Sequence, residues 1–137
     1  MTTRKLLFFS FLLAISVVLA FIYYNNFYYR EIAAQDLAHA YTKDVASADK
    51  EFLDKRLNLR GQVKSYYTLP ELGPVLELKT YPDDLPVFCL ITDEDDRYTA
   101  TQLKEEQNVS VKVKCLGTSV DTLVNGVKVH VISISPQ

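Results

Sequence analysis

Leu57-Asn58-Leu59-Arg60-Gly61-Gln62-Val63 is the stretch on which the fold turns. Leu57, Leu59 and Val63 alternate with Asn58, Arg60 and Gln62, so an extended chain here has one apolar face and one polar face. Gly61 falls on the apolar parity. A glycine inside a strand marks a bend, a bulge or a close backbone approach. A long first strand that bends at a glycine is what a small closed barrel requires.

Downstream, four more strands are expected. The first strand runs over Arg56–Tyr67 and ends in the turn-rich Leu69-Pro70-Glu71-Leu72-Gly73-Pro74. A second covers Val75–Thr80, with Leu76 and Leu78 on one face and Glu77 and Lys79 on the other. Tyr81-Pro82-Asp83-Asp84 reverses the chain. The third, Pro86–Thr92, is apolar on both faces and reads as covered on both. Thr92 or Asp93 caps a short helix reaching Lys104, with acids in its first turn offsetting the helix dipole. The fourth strand is Val109–Leu116, followed by Gly117 as a bend. Asn125-Gly126 signals a hairpin into the fifth, Val127 onward. The alternation slips at Ile132, which predicts a bulge or a strand leaving the barrel.

Upstream, residues 31–54 read as helix, rich in alanine, with Ile32, Leu37 and Tyr41 on an apolar side. Asp44 or Ser47 caps a second short helix with Ala46, Ala48 and Phe52 available to pack. This pair either covers an open barrel end or spaces the barrel from a membrane. Residues 6–24 carry no charge and follow Arg4 and Lys5. Nineteen such residues span roughly 30 Å of hydrocarbon as a helix. Asn25-Asn26 ends the run, and tyrosines at 23, 24, 28 and 29 suit the head-group belt. The competing reading is a cleaved signal peptide, with Val18-Leu19-Ala20 as the cleavage site. The run continuing through Phe21-Ile22-Tyr23 favours an uncleaved anchor. Basic residues at its front keep the N-terminus in the cytoplasm. The expectation is a single-pass inner-membrane protein with its C-terminal domain outside the cytoplasm. The organisation expected is an anchor over 1–30, a helical spacer over 31–54 and a barrel over 55–137.

The twelve basic and seventeen acidic residues of 31–137 leave that part at −5. An acidic domain repels phosphate backbones, which speaks against nucleic acid as a partner.

Three strands, a helix and two strands is the order of the OB-fold, a five-stranded Greek-key barrel. The chain also resembles the tRNA_anti-like OB family of small bacterial membrane-anchored or extracytoplasmic domains. Ala46-Ser47-Ala48-Asp49-Lys50, the stretch Leu57–Val63, Val87-Phe88-Cys89-Leu90-Ile91, Val109–Gly117 and Val129-His130-Val131-Ile132 carry the resemblance, over roughly residues 32–135. One departure is Glu106-Gln107-Asn108, where such domains carry a Gly-Asp turn. The resemblance does not by itself imply RNA binding; the anchor, the five-strand pattern and the missing catalytic set point to a binding or interaction module of unknown ligand, with a nucleic-acid-binding OB domain as the alternative.

No Ser-His-Asp order, glycine-rich phosphate loop or Cys-x-x-Cys is present, so an enzyme is not expected, nor is a cofactor. The acids at 93–96 lack the spacing of a calcium loop and read as helix capping. His39 and His130 have no metal-ligand partner at suitable spacing, so no metal is expected. Cys89 and Cys115 are the only cysteines. In an OB barrel the fifth strand lies between theirs, putting them roughly 10 Å apart. A disulfide needs Cα atoms about 4.4–6.8 Å apart, so two buried thiols are favoured over a bond. Tyr66, Tyr67 and Tyr81, with Arg60 and Lys79, form the candidate ligand-binding set. Their rings offer the stacking surface OB-folds use, against the plainer reading of rim packing. The partners expected are the membrane through 6–24, and a small ligand or another envelope protein.

Overall fold

The computed structural model describes residues 2–119 and 123–137, the side chains of 25–27 excepted. The chain runs α1 (Thr3–Phe27), β1 (Arg30–Ala33), α2 (Ala34–Lys43), α3 (Val45–Phe52), β2 (Arg56–Leu69) and β3 (Gly73–Leu78). It continues through β4 (Val87–Leu90), α4 (Glu94–Gln102), β5 (Asn108–Gly117) and β6 (Val127–Pro136). Strands β2, β3, β4, β6 and β5 bond in that order, and β5 returns to β2, closing a five-stranded barrel. This is the OB-fold expected from the strand order.

β2 closes the barrel by serving two partners. Arg56–Gln62 pairs antiparallel with β5, and Val63–Leu69 pairs antiparallel with β3, with a register shift between Val63 and Ser65. At the changeover Gln62 O accepts from Lys79 N at 2.8 Å, and Val63 O accepts from Glu106 N at 2.7 Å. Gly61 lies just before this corner. A methyl group there would sit 3.3 Å from Ala34 Cβ, tighter than ordinary contact. The glycine therefore lets α2 close onto the strand. The corner itself is made by the bulge after Val63.

The expected helix over 31–54 does not begin as one. Arg30–Ala33 is β1, pairing parallel with Leu57–Arg60. The reason is the edge of β2. β3 reaches only Val63–Leu69, so the other half would leave its N–H and C=O groups bare on that side. Nor do the two helices stand off as a spacer. Leu37 and Tyr41 of α2, with Ala48 and Phe52 of α3, join the same buried cluster as Leu57, Leu59 and Val111. Asp44 caps α3, accepting from Ala46 N at 3.1 Å.

The other helix follows expectation more closely. Asp93 caps α4 by accepting from Asp95 N at 2.7 Å, and Ala100 and Leu103 pack on the core. Glu106, in the turn that departs from the family, adopts φ +67°, a left-handed conformation that favours glycine. The slip at Ile132 is a bulge: Val131 pairs with Val113 and Ser133 with Lys112, leaving Ile132 over.

Asn125-Gly126 does not form the hairpin turn that its sequence suggests. β5 and β6 are antiparallel neighbours, but their connection is longer than a two-residue turn and includes 120–122, outside the described residues. Gly126 does not have the positive φ a type I′ turn needs. It is glycine because the Phe88 ring and Pro86 O would collide with any Cβ, the ring at 2.5 Å. Lys128, on the polar parity, is buried. Its Nζ donates to Thr118 O at 3.0 Å and to Val124 O, tying that connection to the barrel.

Cys89 and Cys115 are both free and buried, each paired in register with Val129 from opposite sides. The disulfide weighed from sequence is not made, because β6 separates the two strands.

Candidate functional site

β2 beyond its corner, β3 and the β3–β4 connection build the outer surface where the candidate residues fall. Glu77 projects from β3 yet is only 7% exposed. A buried carboxylate must be paired, and both of its oxygens are. Tyr67 Oη donates to Oε1 at 2.6 Å, and Lys64 Nζ lies 3.0 Å from Oε2. Burial pushes the Tyr67 phenol well above its usual range, and its bond to Glu77 adds to the shift. Next along, Lys79 Nζ donates to Glu106 Oε1 at 2.7 Å. That bond and the lysine charge hold Glu106 below the usual carboxylate range.

Lys64, Glu77, Lys79, Tyr81, Pro82 and Asp84 line an open groove of about 640 Å³. Tyr81 is 56% exposed at its mouth. The loop carrying it is fixed to α2: Leu85 N donates to Thr42 Oγ1 at 2.8 Å, and Asp84 Oδ1 lies 3.3 Å from His39 Nδ1. His39 thus has an acidic neighbour that spacing did not reveal. Among the described residues no cluster of three metal-ligating side chains occurs.

The five candidates separate. Lys79 and Tyr81 share the groove, while Arg60 and Lys79 line a second hollow of about 450 Å³ beside Gly61 and Gln62. Tyr66 turns inward and packs against the core. Tyr67 is spent on Glu77. The bulge after Val63 explains the exchange of faces, since one extra residue inverts the parity that follows. Arg60 lies 4.0 Å from Glu31 of β1. Glu77 and Lys64 were not among the sequence candidates. Glu77 sits on a polar parity that reads as solvent-facing, and the β2–β3 register that covers it depends on the loop.

The arrangement offers charged and hydrogen-bonding groups of both signs beside one exposed ring. Its polar groups suit binding.

No curated protein matches the sequence. Among solved structures, the chain is similar to an aspartyl-tRNA synthetase from Leishmania major Friedlin, at 13% identity and TM-score 0.51, covering 79% of this chain and 20% of that one. It is similar to asparaginyl-tRNA synthetase from Pyrococcus horikoshii, at 16% identity and TM-score 0.51, covering 77% and 22%. It is also similar to OBody AM3L09 bound to hen egg-white lysozyme, at 15% identity and TM-score 0.50, covering 69% and 90%. The chain spans about a fifth of either synthetase, and at these identities the likeness shows the OB-fold alone. The tRNA_anti-like family model matches residues 1–128, and on that match the chain belongs to the tRNA_anti-like family.

Proposed function

We propose that the protein is a membrane-anchored OB-fold module that binds a small ligand or another envelope protein outside the cytoplasm. In this reading α1 is an uncleaved inner-membrane anchor, residues 30–137 fold as one unit, and the module is not an enzyme. The observation that carries it is the window Thr3–Tyr24, with mean hydropathy 2.7 and none of it buried against the rest of the chain. An exposed apolar helix of that length needs an apolar medium. Arg4 and Lys5 at its start support a cytoplasmic N-terminus. The groove of Lys79 and Tyr81 supplies the candidate binding surface.

The other reading is nucleic-acid binding, favoured by the tRNA synthetases among the structural neighbours. Against it, each basic residue of the candidate surface has an acid beside it: Lys64 has Glu77, Lys79 has Glu106 and Arg60 has Glu31.

Reporter fusions test the topology. A C-terminal alkaline phosphatase should be active, and a C-terminal fluorescent protein that needs the cytoplasm should be dark. The opposite pair contradicts the reading. The full-length chain in detergent should also fail to retain single-stranded oligonucleotide at physiological salt. Retention weakened by Tyr81→Ala, which removes the exposed ring of the groove, would favour the nucleic-acid reading.

A further inference from the structure

The charge on the barrel is segregated. β2, β5 and β6 carry six of the twelve basic residues of 31–137 and none of its seventeen acids. Three of the six are accounted for within the fold. Lys128 is buried on backbone carbonyls, Lys64 is paired with Glu77, and Arg60 is near Glu31. Arg56, Lys112 and Lys114 remain, and among the described residues no carboxylate lies within ion-pair distance of them.

Their arrangement works against folding. Arg56 and Lys114 are direct cross-strand partners, and like charges placed opposite each other destabilise a sheet. Lys112, two residues from Lys114, stands opposite Asn58 on the same outer face. A domain at −5 has acids enough to relieve this cluster, yet among the described residues none is within ion-pair distance of it.

The cluster also has a position relative to the helix. Tyr29 follows the end of α1 by two residues, and its ring lies 6.0 Å from Arg56 Cζ and 5.3 Å from Lys112 Nζ. Two residues reach at most about 7 Å, within a Debye length of about 8 Å at physiological salt. An open groove of about 630 Å³ lies beside the cluster. Tyr24 and Tyr28 of the helix end line it together with Arg30, Lys55 and Arg56. Two acids reach this groove, Glu51, which is 2.9 Å from Arg30, and Asp54.

We propose that the face of Arg56, Lys112 and Lys114, with its adjoining groove, docks on anionic phospholipid headgroups of the bilayer that α1 enters. The inference rests on the anchor reading of α1. An anionic surface repels the domain as a whole, so the acid-free strands are the side that can approach it. Docking satisfies the opposed cations and turns the Tyr81 groove into a fixed orientation above the membrane.

The test uses the full-length chain in nanodiscs of phosphatidylcholine alone, or of phosphatidylcholine with about a third phosphatidylglycerol. Amine acylation rates are read residue by residue by mass spectrometry. Lys112 and Lys114 should react about threefold to fivefold more slowly in the anionic discs, the effect of roughly one lysine's surface attraction. Exposed Lys104, after α4, should react equally in both. Arg56→Gln with Lys114→Gln should return Lys112 to its rate in phosphatidylcholine. That variant relieves a like-charge pair, so its melting temperature should not fall. Equal Lys112 rates in the two discs overturn the proposal, as does protection that survives the double substitution. Protection of Lys112 by a single-stranded oligonucleotide, and not by phosphatidylglycerol, assigns the face to nucleic acid and also overturns it. Failure of the chain to remain with either disc overturns the anchor reading instead.

Discussion

α1 and the barrel are built from the same kinds of residue and use them in opposite ways. Leu13 in α1 is 68% exposed, whereas Leu59 in β2 is 0% exposed. Leu59 alternates with polar neighbours, so its strand has one side to bury. The α1 window Thr3–Tyr24 is apolar on all sides, and none of it is buried among the described residues. One region completes its burial by folding. The other leaves its apolar surface to the surroundings. The contrast implies that the two should fail independently.

The largest effect is expected at Leu59→Ala, which empties a fully buried site. Such substitutions cost about 2–5 kcal/mol. Urea melts of the full-length chain in detergent should show the loss, while the amount of chain retained in membranes stays the same. Leu13→Arg should do the reverse. An arginine near the middle of a spanning helix costs about 2.5–3.5 kcal/mol in insertion, read as chain lost from the membrane fraction with an unchanged barrel melt. If Leu13→Arg lowers the melt, α1 is part of the folded unit and the contrast fails.

Within the barrel, Gly61→Val should cost about 1–3 kcal/mol by forcing a side chain against Ala34. Gly61→Ala should cost less, since Ala34 must yield by only a few tenths of an ångström. Equal midpoints for Gly61→Val and the parent would mean that α2 does not press on β2. Asn58→Val sharpens the reading of the polar parity. Asn58 Oδ1 accepts from Ser110 Oγ at 2.6 Å, so its loss should cost about 1 kcal/mol, more than a free surface position would.

The smallest effect concerns pH. Glu106 is held low by Lys79, first through their hydrogen bond and then through charge. A depressed carboxylate stabilises the fold above its unfolded-state value and loses that contribution as the pH falls through its lowered folded value. Lys79→Met should therefore reduce stability slightly at neutral pH, with the difference vanishing in acid. A constant difference across that range would show that Lys79 contributes by packing alone.

The fold was legible where alternation and punctuation agree. Leu57–Val63 alternates cleanly, and Ile132 breaks its alternation at the bulge itself. Asp44 and Asp93 sit where caps are needed. What was hidden depends on partners distant in sequence. Arg30–Ala33 is a strand because an edge of β2 lacks a neighbour, which nothing in those four residues states. Gly126 follows an asparagine and so imitates a turn, yet its reason is the Phe88 ring. The candidate surface was legible only in part. The bulge after Val63 sends Tyr66 inward, and Glu77 is covered by a pairing that no local pattern encodes. Lys79 and Tyr81 remained together because they are two residues apart across a turn.

The most direct test of the account is the mass of the chain found in carbonate-washed membranes. An uncleaved anchor predicts a species in the pellet that still contains residues 3–24. A shortened chain beginning near Phe21 and released into the wash would contradict it, and would make α1 a leader that the barrel leaves behind.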